Sequence, residues 1–358
     1  MKVAFLLPNY SGHRVGSTDV YYNFAKGLAE EGHSVDLWHP ARDEGPGGLY
    51  SDLRDRIWSV ARSAMPRPVS WFEFPRGARP RFRSRLSGIH LDHDRVVAFS
   101  WRAIEALAAV SGGGRRFGYV VEYETWRDAT GETRSRMRSA YRRNLPMLAS
   151  SEAVRSMLLE EGASDVRLSV HGIDRDTYHA FLPVAGRAAR RIGCPIRMES
   201  VKSPEILERT LALLRAAHGS TISIWGFGGR GAPASLLGLF DEVHPSPTST
   251  ELANLYNGTA VFLLPSRSEG FGMPAAEAMS CGAATVVADN GGIHTFGEHG
   301  RNCWIVPAGD PSALAEAVEM LLADSTLRER LGTEAARSLD FLSWPNALER
   351  FKGAVEIP

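Results

Sequence analysis

Glu269-Gly270-Phe271-Gly272-Met273-Pro274-Ala275-Ala276-Glu277 sets two carboxylates eight positions apart, across a glycine-containing turn and the start of a helix. Pro274 suits the first helical turn, where a missing N–H leaves no bond unmade, and Gly282 is a stop signal after Cys281. The spacing therefore predicts a short helix whose amino end faces the turn. Unpaired amides there, together with the positive end of the helix dipole, form a seat for an anion such as a diphosphate.

The wider segment from Leu252 to Gly292, with Pro265-Ser266 before the first glutamate and Ala283-Ala284-Thr285-Val286-Val287 after the second, resembles glycosyltransferase family 4. That family's signature is a glutamate, seven residues and a second glutamate, set in Glu-Gly-Phe-Gly and Glu-Ala-Met. Both strings occur here, at 269–272 and 277–279. The resemblance implies an α/β protein of the GT-B fold, in which two Rossmann-like domains face a deep interdomain cleft and a C-terminal helix crosses back to the first. It also implies a retaining, nucleotide-sugar-dependent transferase. On that basis Glu277 holds the ribose hydroxyls, and the amides of Gly270, Phe271, Gly272 and Met273 lie near phosphate and sugar. Glu269 holds sugar hydroxyls.

Arg197 and Lys202 stand where the family places an arginine and a lysine on the donor diphosphate. Of 41 basic residues only Lys2, Lys26, Lys202 and Lys352 are lysines, so a lysine at this spot is not a product of general composition. A compact ammonium contacts phosphate oxygens as a point charge, and a guanidinium forks onto two of them. Val170-His171-Gly172-Ile173-Asp174 is similar to the family's Asn-Gly-Val-Asp turn, with His171 replacing asparagine. Gly16-Ser17 and Asp19 resemble the glycine-rich loop that opens the first helix, one glycine short. Where a histidine often follows a first-domain strand, the chain reads Tyr123-Glu124-Thr125-Trp126. His13, Tyr123, Glu124 and Trp126 are the first-domain candidates for contacting acceptor or sugar. At 291–295 the chain reads Gly-Gly-Ile-His-Thr, where a proline and a glutamate are common in the family.

Composition agrees. A chain of 358 residues exceeds the usual size of one core, and its 41 basic and 41 acidic side chains cancel, so net charge favours neither nucleic acid nor an anionic membrane. Three widely spaced cysteines, Cys194, Cys281 and Cys303, argue against a disulfide framework or a zinc site and point to a reducing cytosol. Val3 to Leu7 is too short an apolar run for a signal or spanning segment and reads as a buried strand. The abundance of arginine associates the chain with a GC-rich bacterial genome.

Apolar runs alternate with helical patterns throughout. Strands are expected at Val3 to Leu7, Ser34 to Trp38, Val96 to Phe99, Tyr119 to Tyr123, Met147 to Ala149 and Val166 to Val170. Helices are expected at Asp19 to Glu31, Arg102 to Val110, Thr133 to Arg142 and Ser151 to Glu161. Phe181 to Gly193, with Pro183 and two glycines, reads as the linker. A second alternation runs through strand Pro195 to Glu199, helix Ser203 to Ala217, strand Ile222 to Trp225, helix Ser249 to Tyr256 and strand Ala260 to Leu264. It continues past the motif helix through strand Thr285 to Val287 and helix Pro311 to Leu322. The expected division is an acceptor-binding domain over 1–182, a nucleotide-sugar domain over 183–342 and a returning helix over 343–358.

Asp92-His93-Asp94 and Asp174-Arg175-Asp176 spell a two-aspartate metal motif, but neither follows a strand, so no metal and no cofactor is assigned. Residues 62–85 hold seven arginines against Glu73, with Trp71, Phe72, Phe74 and Phe82 interleaved. Membrane contact, an acceptor flap and an irregular packed loop are the alternatives, the packed loop being favoured. Pro66, Pro68, Pro75 and Pro80 exclude one continuous helix. The expected activity is metal-independent transfer of a sugar from a nucleoside-diphosphate sugar, UDP-sugar favoured, to an acceptor hydroxyl on a small molecule, glycan or lipid-linked carrier. A GT-B epimerase and a non-catalytic nucleotide-sugar-binding subunit are the alternatives.

Overall fold

The computed structural model describes residues 1–8, 16–41, 49–64, 69, 72–121, 130–187 and 190–358. They form two compact units, Met1–Gly172 with Trp344–Pro358, and Ile173–Ser343.

The first unit contains strands β1 (Lys2–Leu6), β2 (Ser34–Pro40), β3 (Ala78–Arg83), β4 (His90–Leu91), β5 (Arg95–Phe99), β6 (Ser111–Gly112), β7 (Arg115–Val120), β8 (Met147–Ala149) and β9 (Val166–Leu168). Seven of them form one parallel sheet in the order β3-β2-β1-β5-β7-β8-β9, and β4 and β6 pair separately. The chain leaves β1 toward β2 and β3, then returns to add β5 on the other side. The carboxyl ends of β1 and β5 therefore flank the point where strand order reverses. Parallel strands need long crossovers, so both faces of the sheet are covered and β1 is apolar on both. Val3, Phe5 and Leu7 join one core, with helix Gly16–Glu30 and the C-terminal helix Trp344–Val355. Ala4 and Leu6 join the other, with Met137, Tyr141, Val154 and Leu158 from the helices Gly131–Tyr141 and Glu152–Glu160.

The returning helix is anchored by Phe351, which stacks on Phe24 at 4.3 Å and meets Phe5 edge-on at 5.8 Å. Gly27 permits this approach, since a Cβ there would lie 2.6 Å from Leu348. Arg95 donates to the carbonyls of Val355 and Glu356, and Arg167 to that of Ala354, so cations satisfy the exposed carbonyl end of the helix.

The second unit holds β10 (Arg191–Ile196), β11 (Ser223–Gly228), β12 (Glu242–His244), β13 (Val261–Leu264), β14 (Ala284–Ala288) and β15 (Trp304–Val306). All pair in parallel in the order β12-β11-β10-β13-β14-β15, so order reverses between β10 and β13. Ile192, Ile224, Val261, Leu263 and Val286 form one core with Leu207, Leu211 and Leu214 of helix Pro204–His218 and Leu314, Val318 and Leu321 of helix Pro311–Ala323.

Several elements depart from expectation. The division falls at Gly172–Ile173 because the following segment is tied into the second unit. The amides of Phe181 and Leu182 donate to Asn257 Oδ1, Asn257 Nδ2 donates to the His179 carbonyl, and the Ile173 amide donates to that of Leu342. β10 begins at Arg191, inside the expected linker, and ends before Arg197. Gly193 looks like a breaker but makes room for the Trp225 ring, which a Cβ would meet at 2.5 Å. β3 lies within the arginine-rich stretch, where Ala78 and Phe82 are buried and Arg79, Arg81 and Arg83 exposed. Pro80 is tolerated because this is the edge strand. Phe72 and Phe74 pack on Tyr22, at 5.1 Å each. Trp71, Pro66 and Pro68 lie outside the described residues. Helices Leu49–Ser63 and Ser325–Ser338 were not expected at all.

Two buried histidines make the first unit sensitive to acid. Burial pushes His39 down to about 3, with Arg62 adding to the effect. Burial likewise lowers His171 to about 4, against a bond from its Nδ1–H to the Gly172 carbonyl at 3.1 Å. Both values lie below the ordinary 6.5, so the unfolded chain takes up these protons first. Stability is full above that value and falls as pH drops toward 4 and then 3. We predict that the free energy of unfolding falls by on the order of 2 kcal/mol per pH unit between about pH 6 and 5, in urea titrations followed by circular dichroism. His171→Asn should remove roughly half of that slope; an unchanged slope would mean that His171 is not buried neutral.

Candidate functional site

Three loops at the carboxyl edge of the second sheet are bound to one another. After β10 the chain makes a tight turn, Ser200–Lys202, and Ser203 then adopts φ 55° and ψ 56° as it opens helix Pro204–His218. A left-handed conformation in a residue with a Cβ costs on the order of 1 kcal/mol or more, and here it is held by its surroundings. The carbonyl of Val201 accepts from the amides of Arg267 at 2.9 Å and Ser268 at 3.3 Å, joining the loop after β10 to the loop after β13. The amide of Glu269 donates to the Asn290 carbonyl at 3.0 Å, joining that loop to the one after β14. Asn290 Oδ1 accepts from the Ile293 amide at 3.0 Å.

This stitching brings together two residues 67 positions apart. Lys202 Nζ lies 2.8 Å from Glu269 Oε2, and the two side chains are 15% and 9% exposed. A largely desolvated ion pair adds little net stability, but removing either partner strands the other charge. Immediately downstream, Gly272 takes φ 99° and ψ 47°, with its carbonyl accepting from the amides of Ala275 and Ala276. Helix Met273–Ser280 starts there with Pro274 in its first turn and no side-chain cap at its amino end. The amino end of a helix and an ammonium thus lie on the same loop system as Glu269, an arrangement that receives anions.

Glu277, one turn into this helix, is positioned from behind. Tyr256 on helix Ser249–Asn257 donates its hydroxyl to Glu277 Oε2 at 3.2 Å. Burial first, and then the charge of Glu277, hold the Tyr256 hydroxyl well above its ordinary 10, so it remains a donor. Tyr256 was not singled out in the sequence, where it reads only as one of the inward residues of an amphipathic helix. Gly292, in the segment that departs from the family's usual residues, is also structural to the site. A Cβ there would lie 2.7 Å from the carbonyl oxygen of Phe271, so the two loops touch backbone to backbone.

Arg197 is placed differently from Lys202. It follows the end of β10, is exposed, and sets its guanidinium 5.5 Å from the centre of the Phe227 ring. Among the described residues it forms no salt bridge, and it is not joined to the Lys202–Glu269 pair. Gly228, at φ 93°, leaves space for it. Gly16 and Ser17 open helix Gly16–Glu30 in the first unit. Ser17 lines a small cavity with Pro8, Phe99 and Ser100, at the carboxyl ends of β1 and β5. Ser100 there adopts φ 86° and its buried hydroxyl has no hydrogen-bond partner among the described residues. His13, Tyr123, Glu124 and Trp126 lie outside the described residues.

Contrary to expectation Asp92-His93-Asp94 does follow a strand, the short β4, but the aspartates of both motifs are engaged within the protein. Asp92 pairs with Lys2 at 2.7 Å and Asp94 accepts from the Lys2 amide. Asp174 accepts from the amides of Asp176 and Thr177. Among the described residues no helix is long and apolar enough to cross a membrane.

Residues 189–324 match the family described as Glycosyl transferases group 1. A D-inositol 3-phosphate glycosyltransferase of Streptomyces bingchenggensis is 31% identical over 194 residues, which are 47% of this chain and 43% of that protein. The chain spans about half the length of the curated relatives it matches. Over the whole fold, sucrose-phosphate synthase from Thermosynechococcus elongatus superposes with a TM-score of 0.74 at 14% identity, covering 98% of this chain and 97% of the other. HepE of Anabaena, solved in complex with UDP, gives 0.71 at 15% identity, covering 99% and 100%. At such identities the likeness speaks for the fold, which is GT-B.

The contact of Gly292 with Phe271 yields a prediction. Gly292→Ala forces the two backbones apart and should cost about 1–3 kcal/mol. Its melting temperature should fall accordingly; a variant as stable as the parent would show that the two loops separate freely.

Proposed function

We propose that this chain, whose residues 189–324 belong to the glycosyl transferases group 1 family, is a metal-independent retaining transferase that moves a sugar from a nucleoside-diphosphate sugar to an acceptor hydroxyl. The observation that carries the proposal is the Lys202–Glu269 pair, held at 2.8 Å beside the amino end of helix Met273–Ser280 at the reversal point of the second sheet. A donor seated there sets its diphosphate against Lys202 and the helix amides. Glu269 then faces the sugar hydroxyls while holding the ammonium in place. Glu277, fixed by Tyr256, takes the ribose. Arg197, exposed at the end of β10, is free to turn from Phe227 onto a phosphate.

In the reaction the bond between the anomeric carbon and the diphosphate oxygen breaks, and the electron pair leaves with the nucleoside diphosphate. The acceptor oxygen bonds to the anomeric carbon on the same face, and its proton passes to the departing phosphate. No side-chain nucleophile is required. Negative charge grows on the diphosphate as the bond breaks, so a prepositioned ammonium and aligned amides act most strongly in the transition state. Lys202 thereby supplies charge neutralisation that a divalent cation provides in other transferases.

The nucleotide is proposed to be uridine diphosphate, the one bound in the HepE structure. The acceptor is a hydroxyl on a small molecule, glycan or lipid-linked carrier, and the setting bacterial biosynthesis. The inositol phosphate in the relatives' name is one member of that class.

Two measurements test this. Lys202→Ala should lower turnover by on the order of a hundredfold or more, as for loss of an anion-stabilising donor. Wild-type turnover in that variant would remove Lys202 from the chemistry. In thermal-shift titrations against uridine, guanosine, adenosine and thymidine diphosphates, one nucleotide should raise the melting temperature selectively and do so equally in chelator. A shift that required magnesium would overturn metal independence, and no shift with any nucleotide would overturn the site.

A further inference from the structure

Helix Leu49–Ser63 packs its inner face on the edge of the first sheet, where Trp58 meets Phe82 edge-on at 5.6 Å and Asp55 is buried. Its outer face is apolar. Leu53, Ile57 and Val60 are 58%, 61% and 70% exposed, more than any other large apolar side chain among the described residues. They are spaced i, i+4 and i+7, so at about 100° per residue they share an arc of about 60°. Single exposed apolar residues are ordinary, but three aligned on one face are not. Exposed Arg54 and Arg56 fall on opposite sides of that arc, at about 100° and 60° from Leu53. Arg54 is bound to Asp55 at 3.1 Å.

We propose that this face docks on an anionic lipid bilayer, the three apolar side chains entering the boundary between headgroups and acyl chains and the bracketing arginines meeting lipid phosphates. The stripe is narrow, lies on a helix of 15 residues and is flanked by cations on both sides, as a helix lying in the interface plane requires. The same flanks count against a second copy of the chain as occupant. A two-fold contact sets the same patch on both partners and brings arginine rows together with like charge. The chain's zero net charge leaves attraction to the bilayer to this local group and the apolar face.

The test is co-sedimentation of the full chain with vesicles of phosphatidylglycerol and phosphatidylcholine in equal parts, or of phosphatidylcholine alone. Binding should be at least severalfold stronger to the mixed vesicles and weaken with salt. The triple substitution Leu53→Ser, Ile57→Ser, Val60→Ser should lower it on the order of a hundredfold while leaving the circular dichroism melting curve in place. Arg54→Gln with Arg56→Gln should reduce binding to the mixed vesicles alone. No sedimentation with either vesicle, or sedimentation unchanged in the triple variant, overturns the proposal. A dimer seen by light scattering that the triple variant abolishes, without vesicle binding, also overturns it, in favour of self-association. None of these readouts depends on transferase activity.

Discussion

Adjacent parallel strands cannot be joined by a tight turn, and this constraint orders both units of the chain. Each crossover needs a covering segment, each sheet is consequently buried on both faces, and strand order must reverse if the chain is to extend the sheet on both sides of its first strand. At the reversal, successive loops diverge from neighbouring carboxyl ends and leave a crevice. In the second unit the reversal lies between β10 and β13, and the loops leaving those two strands deliver Lys202 and Glu269. In the first it lies between β1 and β5, where Ser17 and Ser100 line a cavity. Topology thus fixes where chemistry can occur before any functional side chain is chosen.

Electrostatics then decides what such a crevice accepts. Lys202 and Glu269 are mostly removed from water, and their mutual attraction is offset by the cost of desolvating both. The diphosphate of the proposed donor would add negative charge beside an ammonium already stripped of much of its hydration. The gain on binding is larger than it would be for a solvated lysine. The strained Ser203 and the buried Tyr256 belong to the same arrangement, since both hold a charged side chain where water alone would not keep it.

The second unit was legible because its motif is backbone geometry written in residue types. Gly272 must reach φ 99°, Pro274 must sit in the first turn, and the glutamates then fall where they do. Arg197 and Lys202 were found by resemblance to the family's arginine and lysine, yet the resemblance does not reveal that, of the two, Lys202 meets Glu269. That depends on the loop-to-loop bonds through Val201 and Asn290, which join residues far apart in sequence. Tyr256 carried no signal, since a buried tyrosine on an amphipathic helix looks the same whether or not its hydroxyl has work to do. β10 and β3 were misread for a shared reason. Glycine and proline mark turns only where nothing else requires them, and Gly193 yields to Trp225 while Pro80 lies on an edge. Helix Leu49–Ser63 was invisible because Trp58 on its inner face and Leu53, Ile57 and Val60 on its outer face blur the apolar period.

The return of the chain has a consequence for how the first unit is completed. Phe351 is fully buried among Phe5, Phe24, Phe99 and Tyr119, whose strands and helix all end by residue 120. Arg95 and Arg167 likewise donate to carbonyls of residues 354–356. Until the last helix is in place, one face of the central strands exposes an aromatic surface that sheet formation alone does not cover. Among the described residues the core of the second unit around Ile192, Val261 and Leu314 is drawn from within Ile173–Ser343. The Glu269–Glu277 motif therefore resides in the unit whose described core is drawn from within Ile173–Ser343, and the first unit reaches its native packing only after the second has been made.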